Sequence, residues 1–598
     1  MSDNPCSIEQ LTAFAPGEAE TLELPAGLRL LTMLGRQHGL AEVESVCRLL
    51  AQVHPPLVWV LYLLPDCSLD AEVLAERLAT ETLEIVLFGE SASDERPPLL
   101  AACQAYLDLH LQAQPPAAYF QALAMNRPVL CAPGQPAGPL PPEGLRPVSD
   151  PAGLAAALEQ PAVPGLRGRL ISRLAESDAA GFRGWLDPQL QWLADEYTGL
   201  ELAVVMFWGR SGSTLLSSLL DSHPQTVTIG AGNFGAISLF SNVWSYLRQA
   251  GLSSLAELLE HFCAGRRREN MAPHVQELAL FSAADPAFEA SFKQYFHQLI
   301  QALGQNLGLT QLQQQIRKVF FVGLHFAYAL ALGQDIRGRR QIVFQAHWCE
   351  DLEQLSSLCQ DFPRMKLLGM IRQPAQGFYS LLAYYRQEAG RQWPDLVFSG
   401  HYTDTYRHLL MGWTLAEKMI GTPVYAIALE ALHAQPEAVI RALAGHLELA
   451  WHPCLLESSC DGTPYRVGSG VHGLVDRQLP VFDPQRVNYD QWRQQLSDLD
   501  VFVLEGLMHE PLKKYLGRSV SPFQQSLGLL LLFLPMRLEW QALQQAFALR
   551  DEQKIKQVLL GLAERCFYSL LHTCGYAFKS NPGHRIRPKA LLGLGEGP

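Results

Sequence analysis

The sequence predicts an α/β protein with two units built on parallel sheets, followed by a helical tail. Short apolar runs typical of buried strands alternate with amphipathic segments of helix length along most of the chain. Of the 598 residues, 48% are hydrophobic and 18% are charged, a composition that excludes wholesale disorder. The chain is longer than a typical single domain, so we expect two or three hydrophobic cores.

The first unit, residues 1–198, has the pattern of a Rossmann-like domain. Its predicted strands are "LRLLTML", "PPLVWVLYLL", "LEIVLFG" and "RPVLCAP". The segments "LAEVESVCRLLAQ" and "DAEVLAERLA" separate the first three strands, which favours a parallel sheet covered on both faces by helices. A stretch rich in proline and glycine, "APGQPAGPLPPEGLRP", interrupts the pattern before the boundary that we place near residue 198.

The second unit covers residues 199–518. The strand-like run "ELAVVMFWG" precedes a loop of small residues and a leucine-rich helical pattern. Further strands are expected at "RQIVFQAH", "MKLLGMIRQP" and "TPVYAIAL", the first of them after a helical insertion over about residues 233–340. The remaining residues, 519–598, have the pattern of amphipathic helices and are predicted to form a helical extension.

The loop "GRSGST" has the character of an anion-binding site. A strand, a tight turn and a helix present several backbone N–H groups to one point, where the helix dipole also favours negative charge. Because Ser213 directly follows Gly212, the lysine of the G-x-x-x-x-G-K-[ST] nucleotide loop is missing, and a kinase or nucleoside triphosphatase is disfavoured. Small residues also serve plain packing of a strand against a helix, an alternative that the loop alone leaves open.

A second phosphate-binding element is predicted in "KLLGMIRQPAQGFYSLLAYYR". Arg372 follows a strand, Pro374 makes a turn, and Ser380 stands at the start of a helix. A guanidinium and a hydroxyl on either side of a turn can hold one phosphate through charge-assisted hydrogen bonds. Two such elements in one unit predict a ligand that is phosphorylated at two ends.

These motifs resemble those of the sulfotransferases that use 3′-phosphoadenosine 5′-phosphosulfate (PAPS). The family's 5′ loop, R/K-S-G-[ST]-T, stands here as residues 210–214, and its 3′-phosphate element stands as Arg372, Pro374 and Ser380, with Gln373 in place of the usual Asp or Asn. The resemblance covers about residues 200–518 and implies a P-loop-type sulfotransferase domain. It implies an enzyme that moves a sulfuryl group from PAPS to an acceptor hydroxyl and needs no metal.

The resemblance also implies roles for individual residues. Arg372 and Ser380 would hold the 3′-phosphate, and His347 of "FQAHWC" aligns with the family's catalytic base, although Gln345 replaces the family's lysine. His325 and His472 are weaker alternatives for the base, and Glu430 is assigned a structural role. Arg210 would both bind the 5′-phosphosulfate and stabilise the charge that develops on it. The whole set that would hold the 5′-phosphosulfate is Arg210, Ser211, Gly212, Ser213 and Thr214.

The first unit is similar to the nucleotide-sugar-binding half of a GT-B glycosyltransferase. The similar stretches are "MLGRQHGLAEVESVCRLLAQ", "LEIVLFGE" and "AAYFQALAMNRPVLCAP". Ala113 and Gln121 stand where that family has acidic residues, so we interpret the unit as a degenerate domain for structure or recognition. This similarity favours a carbohydrate or glycoconjugate as the acceptor. A glycosyltransferase, or a non-catalytic binding protein with a sulfotransferase fold, is the alternative function.

Charge and composition exclude several other classes. A net charge of −13 argues against binding to nucleic acid, and twelve cysteines without a C-x-x-C pair argue against a zinc site. No secretory signal is apparent and "LGLLLLFLP" is too short to span a bilayer, so we expect a cytoplasmic protein. Two basic clusters, Arg266–Arg268 and Arg337–Arg340, are interpreted as solvated surface rather than acceptor-binding sites. The acceptor cleft is expected in the insertion, where four aromatic residues either line it or belong to the core, namely Trp244, Tyr246, Phe292 and Tyr295.

Overall fold

The structure is a computed structural model of the 598-residue chain. It describes residues 28–34, 40–51, 57–63, 67, 69–78, 83–88, 103, 105–107, 122–123, 127–131, 145–148, 157, 165–207, 211–229, 255–271, 279–283, 285–347, 358–388, 390–412, 422–464, 481–487 and 490–573. Within these ranges, no helix has the length and apolar character needed to cross a membrane.

The first unit contains a six-stranded parallel sheet. Its strands are β1 (Leu28–Leu34), β2 (Leu57–Leu63), β3 (Leu83–Phe88), β4 (Ala105–Leu107), β5 (Val129–Cys131) and β6 (Leu145–Pro147). They lie in the order β3-β2-β1-β4-β5-β6, which is the strand order of a doubly wound dinucleotide-binding fold. The helices α1 (Leu40–Leu50) and α2 (Ala71–Leu78) lie between β1, β2 and β3 in the chain. The prediction of a Rossmann-like unit is therefore confirmed.

Burial explains which strands of this sheet the sequence reveals. Every residue of β2 is buried, so the strand reads as a continuous apolar run. Inside the sheet, the Trp59 indole N–H donates to Thr32 Oγ1 at 3.0 Å, and the Thr32 hydroxyl donates to the carbonyl of Leu107 at 3.0 Å. β4 and β6 have three residues each, and the sequence analysis missed both.

Two helices, α3 (Leu166–Ser177) and α4 (Ala179–Glu196), join the two units. Asp178 caps α4 by accepting from the backbone N–H of Gly181 at 2.9 Å. Both helices contact the second unit. Arg167 Nε donates to the carbonyl of Gly333 at 2.7 Å, and Gln189 Oε1 accepts from the backbone N–H of Ile336 at 2.9 Å. The boundary near residue 198 stays a prediction, and this packing favours a position before residue 166.

The second unit is built on a five-stranded parallel sheet in the order β11-β10-β7-β9-β8. The strands are β7 (Glu201–Phe207), β8 (Thr226–Val227), β9 (Gln341–His347), β10 (Lys366–Ile371) and β11 (Val424–Ala428), and a short hairpin of β12 (Ser459–Cys460) and β13 (Thr463–Pro464) follows. The long strands expected from the apolar runs are all present. The α/β class with parallel sheets is confirmed.

Helices surround this second sheet. In chain order they are α5 (Ser213–Leu220), α6 (Leu255–Arg266), α7 (Pro286–Leu307), α8 (Leu309–Gln314), α9 (Ile316–Ala331), α10 (Pro374–Glu388), α11 (Trp393–Phe398), α12 (His401–Gly412), α13 (Leu429–Ala434), α14 (Pro436–Leu447), α15 (Pro484–Val487), α16 (Asp498–Leu507) and α17 (His509–Leu516). The expected helical insertion holds α6 to α9. All of α9 except Arg317 is buried, so α9 forms the centre of the larger core.

The helical tail consists of α18 (Pro522–Leu531), α19 (Arg537–Ala548) and α20 (Glu552–Thr573). It packs against α11, α12 and α16 and shares one core with them. A fully buried ion pair lies in that core, where Arg565 donates from Nε and Nη2 to the two oxygens of Glu539 at 2.9 and 3.0 Å. The predicted helical extension is confirmed, and it is packed onto the second unit.

Candidate functional site

Three strand ends of the second sheet bring His347, the loop at Gly212 and the Arg372 turn to one edge. β7 pairs with β9 so that Phe207 lies opposite His347, and it pairs with β10 so that Met206 lies opposite Gly369. The loop after β7, the end of β9 and the turn after β10 therefore share the carboxyl edge of the sheet. In open α/β sheets this edge is where ligands bind.

The loop after β7 turns at Gly212. This residue has φ of +93°, a conformation that side chains with a Cβ avoid, and a Cβ there would stand 2.6 Å from Leu429 Cδ1. Gly212 is the N-cap of α5 and supplies no side-chain acceptor to the first turn. The first N–H groups of α5, including that of half-buried Thr214, are thus available to an anion, as the sequence predicts.

Two buried polar side chains lie at this loop. Ser211 is 1% exposed, and among the described residues its hydroxyl has no hydrogen-bond partner. Gln345 of β9 is buried beneath α5, where its amide nitrogen donates to the hydroxyl of Ser217 and, at 3.5 Å, to the carbonyl of Ser213. Gln345 therefore fixes the first turns of α5 and does not offer the cation that a lysine would. Arg210 lies outside the described residues.

The far end of α5 is held by Asp221. Its Oδ2 accepts from the hydroxyl of Ser459 at 3.0 Å and from the backbone N–H of Gly462 at 2.9 Å, both in the β12–β13 hairpin. Oδ1 accepts from the hydroxyl of Thr228 at 2.5 Å. With Gln345 at the start of the helix and Asp221 at its end, the loop rests on a helix whose position is set by side-chain contacts.

The turn after β10 places Arg372 at the same edge. Arg372 is 9% exposed, so its guanidinium is held close to the protein. The next residue, Gln373, donates its backbone N–H to Glu430 Oε1 at 3.1 Å, and its side-chain oxygen accepts from Arg518 Nη1 at 3.1 Å. Glu430 thus has a structural contact. The sequence analysis missed Arg518, because nothing local in "LGRSV" points to a partner 145 residues away.

Ser380 lies within α10 rather than at its start, a correction to the sequence interpretation. α10 begins at Pro374, so Ser380 is in its second turn, about 9 Å along the helix axis. Gly377, one turn earlier on the same face, is buried, yet a Cβ there would meet no described atom within 4 Å. Among the described residues, this face of α10 therefore has a gap beside Gly377.

Two of the three candidate histidines lie in described elements of the second unit, His347 in β9 and His325 in α9. His347 is the last residue of β9 and lies at the sheet edge described above. His325 is 1% exposed in α9, donates from Nδ1 to the carbonyl of Phe321 at 2.8 Å, and packs against the rings of Phe321 and Phe344. Burial lowers the pKa of His325 to about 4. His325 is a core residue and is excluded as the base, while His472 lies outside the described residues.

The interpretation of the basic clusters as solvated surface holds for Arg268, Arg337 and Arg340, which are exposed, and is wrong for Arg266 and Arg339, which are buried. Arg266 is 3% exposed, and burial lowers its pKa to about 10. Arg339 is 7% exposed and donates from Nη1 to the carbonyl of Thr226 at 2.7 Å. Arg267 forms an ion pair with Glu289. Arg267 and Arg339 therefore join different segments of the chain.

Of the four aromatic residues predicted to line the acceptor cleft or to belong to the core, the structure describes Phe292 and Tyr295. Phe292 is 0% exposed and Tyr295 is 3% exposed, so both belong to the core and neither lines an acceptor cleft. Trp244 and Tyr246 lie outside the described residues. The described part of the insertion therefore supplies the core of the unit, and the acceptor cleft stays a prediction.

Comparison with known proteins identifies the second unit. Residues 203–453 match the model of the sulfotransferase family. The match covers less than half of the chain, and it assigns this segment to the sulfotransferase family. It contains the strand that leads into the loop, His347 and the Arg372 turn, so the family expected from the motifs is confirmed. No curated protein gives a significant match to the chain.

One solved structure similar to the chain is the "Sulfotransferase Domain from the Synechococcus PCC 7002 Olefin Synthase". It is 17% identical, has a TM-score of 0.24, and the match covers 51% of this chain and 92% of that one. The family supports sulfotransferase activity for the domain, through the segment that holds the sheet edge described above.

Proposed function

We propose that the chain is a sulfotransferase that moves a sulfuryl group from PAPS to an acceptor hydroxyl, with a carbohydrate or glycoconjugate as the favoured acceptor. The observation that carries this proposal is the shared sheet edge, where the loop after β7 and the Arg372 turn lie on neighbouring strands. Two anion-binding elements on adjacent strands suit a donor with phosphates at both ends of a nucleoside.

The described residues fit such a donor. Gly212 leaves the first turn of α5 uncapped, the Ser211 hydroxyl is buried without a partner among the described residues, and the gap lies beside Gly377, which stands between Arg372 and Ser380 in the sequence. Arg210 with the loop N–H groups would hold the 5′-phosphosulfate. Arg372 and Ser380 would hold the 3′-phosphate.

The chemistry demands alignment and charge stabilisation more than covalent catalysis. When bound, PAPS supplies the sulfuryl group, and the loop donors offset the charge that develops on its leaving phosphate. His347 removes the proton of the acceptor hydroxyl as general base. No step in this scheme assigned to the protein requires a metal.

The first unit supports the choice of acceptor only through its fold. Its strand order is that of nucleotide-binding Rossmann folds, and its sequence resembles a glycosyltransferase half without the expected acids at Ala113 and Gln121. We assign it a role in recognising a carbohydrate-bearing acceptor. Sites on the sulfotransferase domain carry the reaction.

Donor binding is tested with adenosine 3′,5′-bisphosphate, the expected product. It should raise the melting temperature of the protein without added Mg²⁺, whereas adenosine 5′-monophosphate, which lacks the 3′-phosphate, should raise it far less. Stabilisation by nucleotide sugars in place of the bisphosphate would point to a glycosyltransferase. Incubation with labelled PAPS and a panel of hydroxyl acceptors then tests transfer, and donor binding without any labelled product would leave only a binding protein.

The base is tested by His347→Ala with His347→Gln as a second variant. We expect turnover to fall by about 10²- to 10⁴-fold in both, because general-base assistance is worth that much, with the Kd for the bisphosphate unchanged. Single-turnover rates and titration calorimetry measure the two quantities. Unchanged turnover removes His347 from the mechanism.

A further inference from the structure

The turn that contains Arg372 makes two hydrogen bonds to other segments, both through Gln373. Glu430 Oε1 accepts from the backbone N–H of Gln373, and Arg518 Nη1 donates to the Gln373 side-chain oxygen, each at 3.1 Å. The first contact fixes the main chain directly after Arg372. The second ties the same residue to the segment that follows α17, at the end of the sulfotransferase unit.

Arg518 is itself fixed before it reaches Gln373. Its Nη1 lies 2.8 Å from Glu505 Oε1, and its Nη2 donates to Glu505 Oε2 at 3.1 Å. Two nitrogens of the planar guanidinium thus contact the two carboxylate oxygens of Glu505 in α16. Its backbone N–H donates to the carbonyl of Leu512 at 3.0 Å, directly after Gly517 ends α17 in the left-handed conformation. A bidentate guanidinium leaves little freedom of orientation, and its Nη1 also serves Gln373.

We propose that Arg518 is a positioning residue for the Arg372 turn, and that Gln373 is the residue through which it acts. Gln373 stands where the family has Asp or Asn, and its longer amide side chain makes the contact that reaches Arg518. Because Arg372 is buried, the direction of its guanidinium depends on the backbone of the turn. Loss of the Arg518 contact loosens that backbone and weakens the hold on the 3′-phosphate. The proposal rests on the proposed function, in which Arg372 binds that phosphate.

The test uses Arg518→Ala, Gln373→Met and the double variant in the full chain. Gln373→Met keeps the length of the side chain but removes the acceptor oxygen. We expect each single change to raise the Kd for adenosine 3′,5′-bisphosphate by about two- to tenfold, the range that one hydrogen bond supports. The Kd of the double variant for the bisphosphate should be no higher than that of the single variant with the higher Kd, because both changes break the same contact.

Two comparisons separate positioning from general damage. The Kd for adenosine 5′-monophosphate should stay the same in all variants, since this ligand lacks the phosphate that Arg372 holds. Arg441→Ala removes a similarly exposed arginine that pairs with Glu437 on α14, away from the turn, and should leave both Kd values unchanged. Urea unfolding of every variant shows whether the fold is retained.

The outcomes distinguish this inference from the proposed function. If the unmodified protein binds the bisphosphate no better than the monophosphate, the proposed function fails and this inference fails with it. If the unmodified protein prefers the bisphosphate and both single variants keep that preference in full, only the role of Arg518 is refuted. An equal loss of affinity for both ligands also refutes it, because that pattern indicates a loosened fold.

Discussion

At the scale of one residue, the backbone conformation of Gly212 sets the shape of the loop between β7 and α5. Its φ of +93° lets the chain turn from β7 into α5 and leaves the first N–H groups of the helix uncapped. Gly212→Ala should lower the free energy of unfolding by about 1–2 kcal/mol, since residues with a Cβ are strained in this region. It should also remove most of the stabilisation by adenosine 3′,5′-bisphosphate. Urea unfolding with and without the ligand measures both effects.

Gly184→Ala is the matched control for that change. Gly184 lies inside α4, has ordinary helical geometry, and a Cβ there would meet no described atom within 4 Å. We expect it to leave ligand stabilisation unchanged. If Gly212→Ala behaves like Gly184→Ala, the loop does not need its left-handed turn.

His325 makes a prediction about acid stability. Its pKa is lowered to about 4 by burial, while in the unfolded chain it returns to its ordinary 6.5. The unfolded chain therefore binds a proton first, and the free energy of unfolding should fall as the pH drops from 6.5 to 4. The loss from this group is on the order of 3 kcal/mol, at 1.4 kcal/mol for each pH unit.

The comparison for His325 is with His325→Gln, which keeps a side-chain donor but does not titrate. The variant should be less sensitive to pH between 6.5 and 4, measured by urea unfolding at a series of pH values. It should retain turnover, because His325 is a core residue. Parallel pH profiles for the variant and the unmodified protein would contradict the assigned environment.

At the scale of elements, α10 links the two residues assigned to the 3′-phosphate. In the sequence Gly377 lies between Arg372 and Ser380, and among the described residues a gap beside it has room for a methyl group. Gly377→Ala should raise the free energy of unfolding by up to about 1 kcal/mol, because alanine is the better helix former. The same methyl group should weaken binding of adenosine 3′,5′-bisphosphate if the phosphate occupies the gap. Calorimetric titration and urea unfolding measure the two opposite effects.

The control for α10 is Gly445→Ala in α14. A Cβ at Gly445 also meets no described atom within 4 Å, but the residue lies on an exposed helix surface away from the site. Its substitution should stabilise the protein without changing ligand affinity. Equal affinities in the two variants would show that the gap at Gly377 holds no part of the ligand.

At the scale of the whole molecule, the tail and the sulfotransferase unit share a core. Arg565 of α20 and Glu539 of α19 form an ion pair with side chains 0% and 1% exposed, next to Tyr406 of α12. Burial alone would lower the pKa of Arg565, but the attraction of Glu539 raises it above its ordinary value. Arg565→Met should therefore cost about 3–5 kcal/mol, because it leaves a buried carboxylate without its partner.

Replacing both members should recover much of that loss. Arg565→Met with Glu539→Leu removes the uncompensated charge and leaves an apolar pair of similar volume. Thermal and urea unfolding, followed by both tryptophan fluorescence and circular dichroism, measure the stability. Coincident transitions are expected if the tail unfolds together with the domain, and a separate early transition of the tail would contradict the shared core.

Much of the fold can be read from short patterns in the sequence. The parallel strands β2, β7 and β10 contain long apolar runs, and β9 contains the shorter run IVF. The two predicted phosphate elements are also recognisable in the sequence, because each is defined by a few neighbouring residues, a turn glycine in one and an arginine after a strand in the other. β4 and β6 were missed, whereas the equally short β5 was found because arginine and proline residues bound its apolar run in "RPVLCAP".

The sequence by itself determined the α/β class and the family resemblance, and it predicts two anion-binding elements, because these depend on residue types within a few positions of each other. Only the tertiary structure decided which long-range contacts support them: Gln345 beneath α5, Arg518 on Gln373, and the buried arginines of the basic clusters. Arg339 and Arg441 look alike in a sequence, and one is buried while the other is half exposed. Burial and pairing of a polar side chain depend on which distant segments pack around it, and no local pattern encodes that.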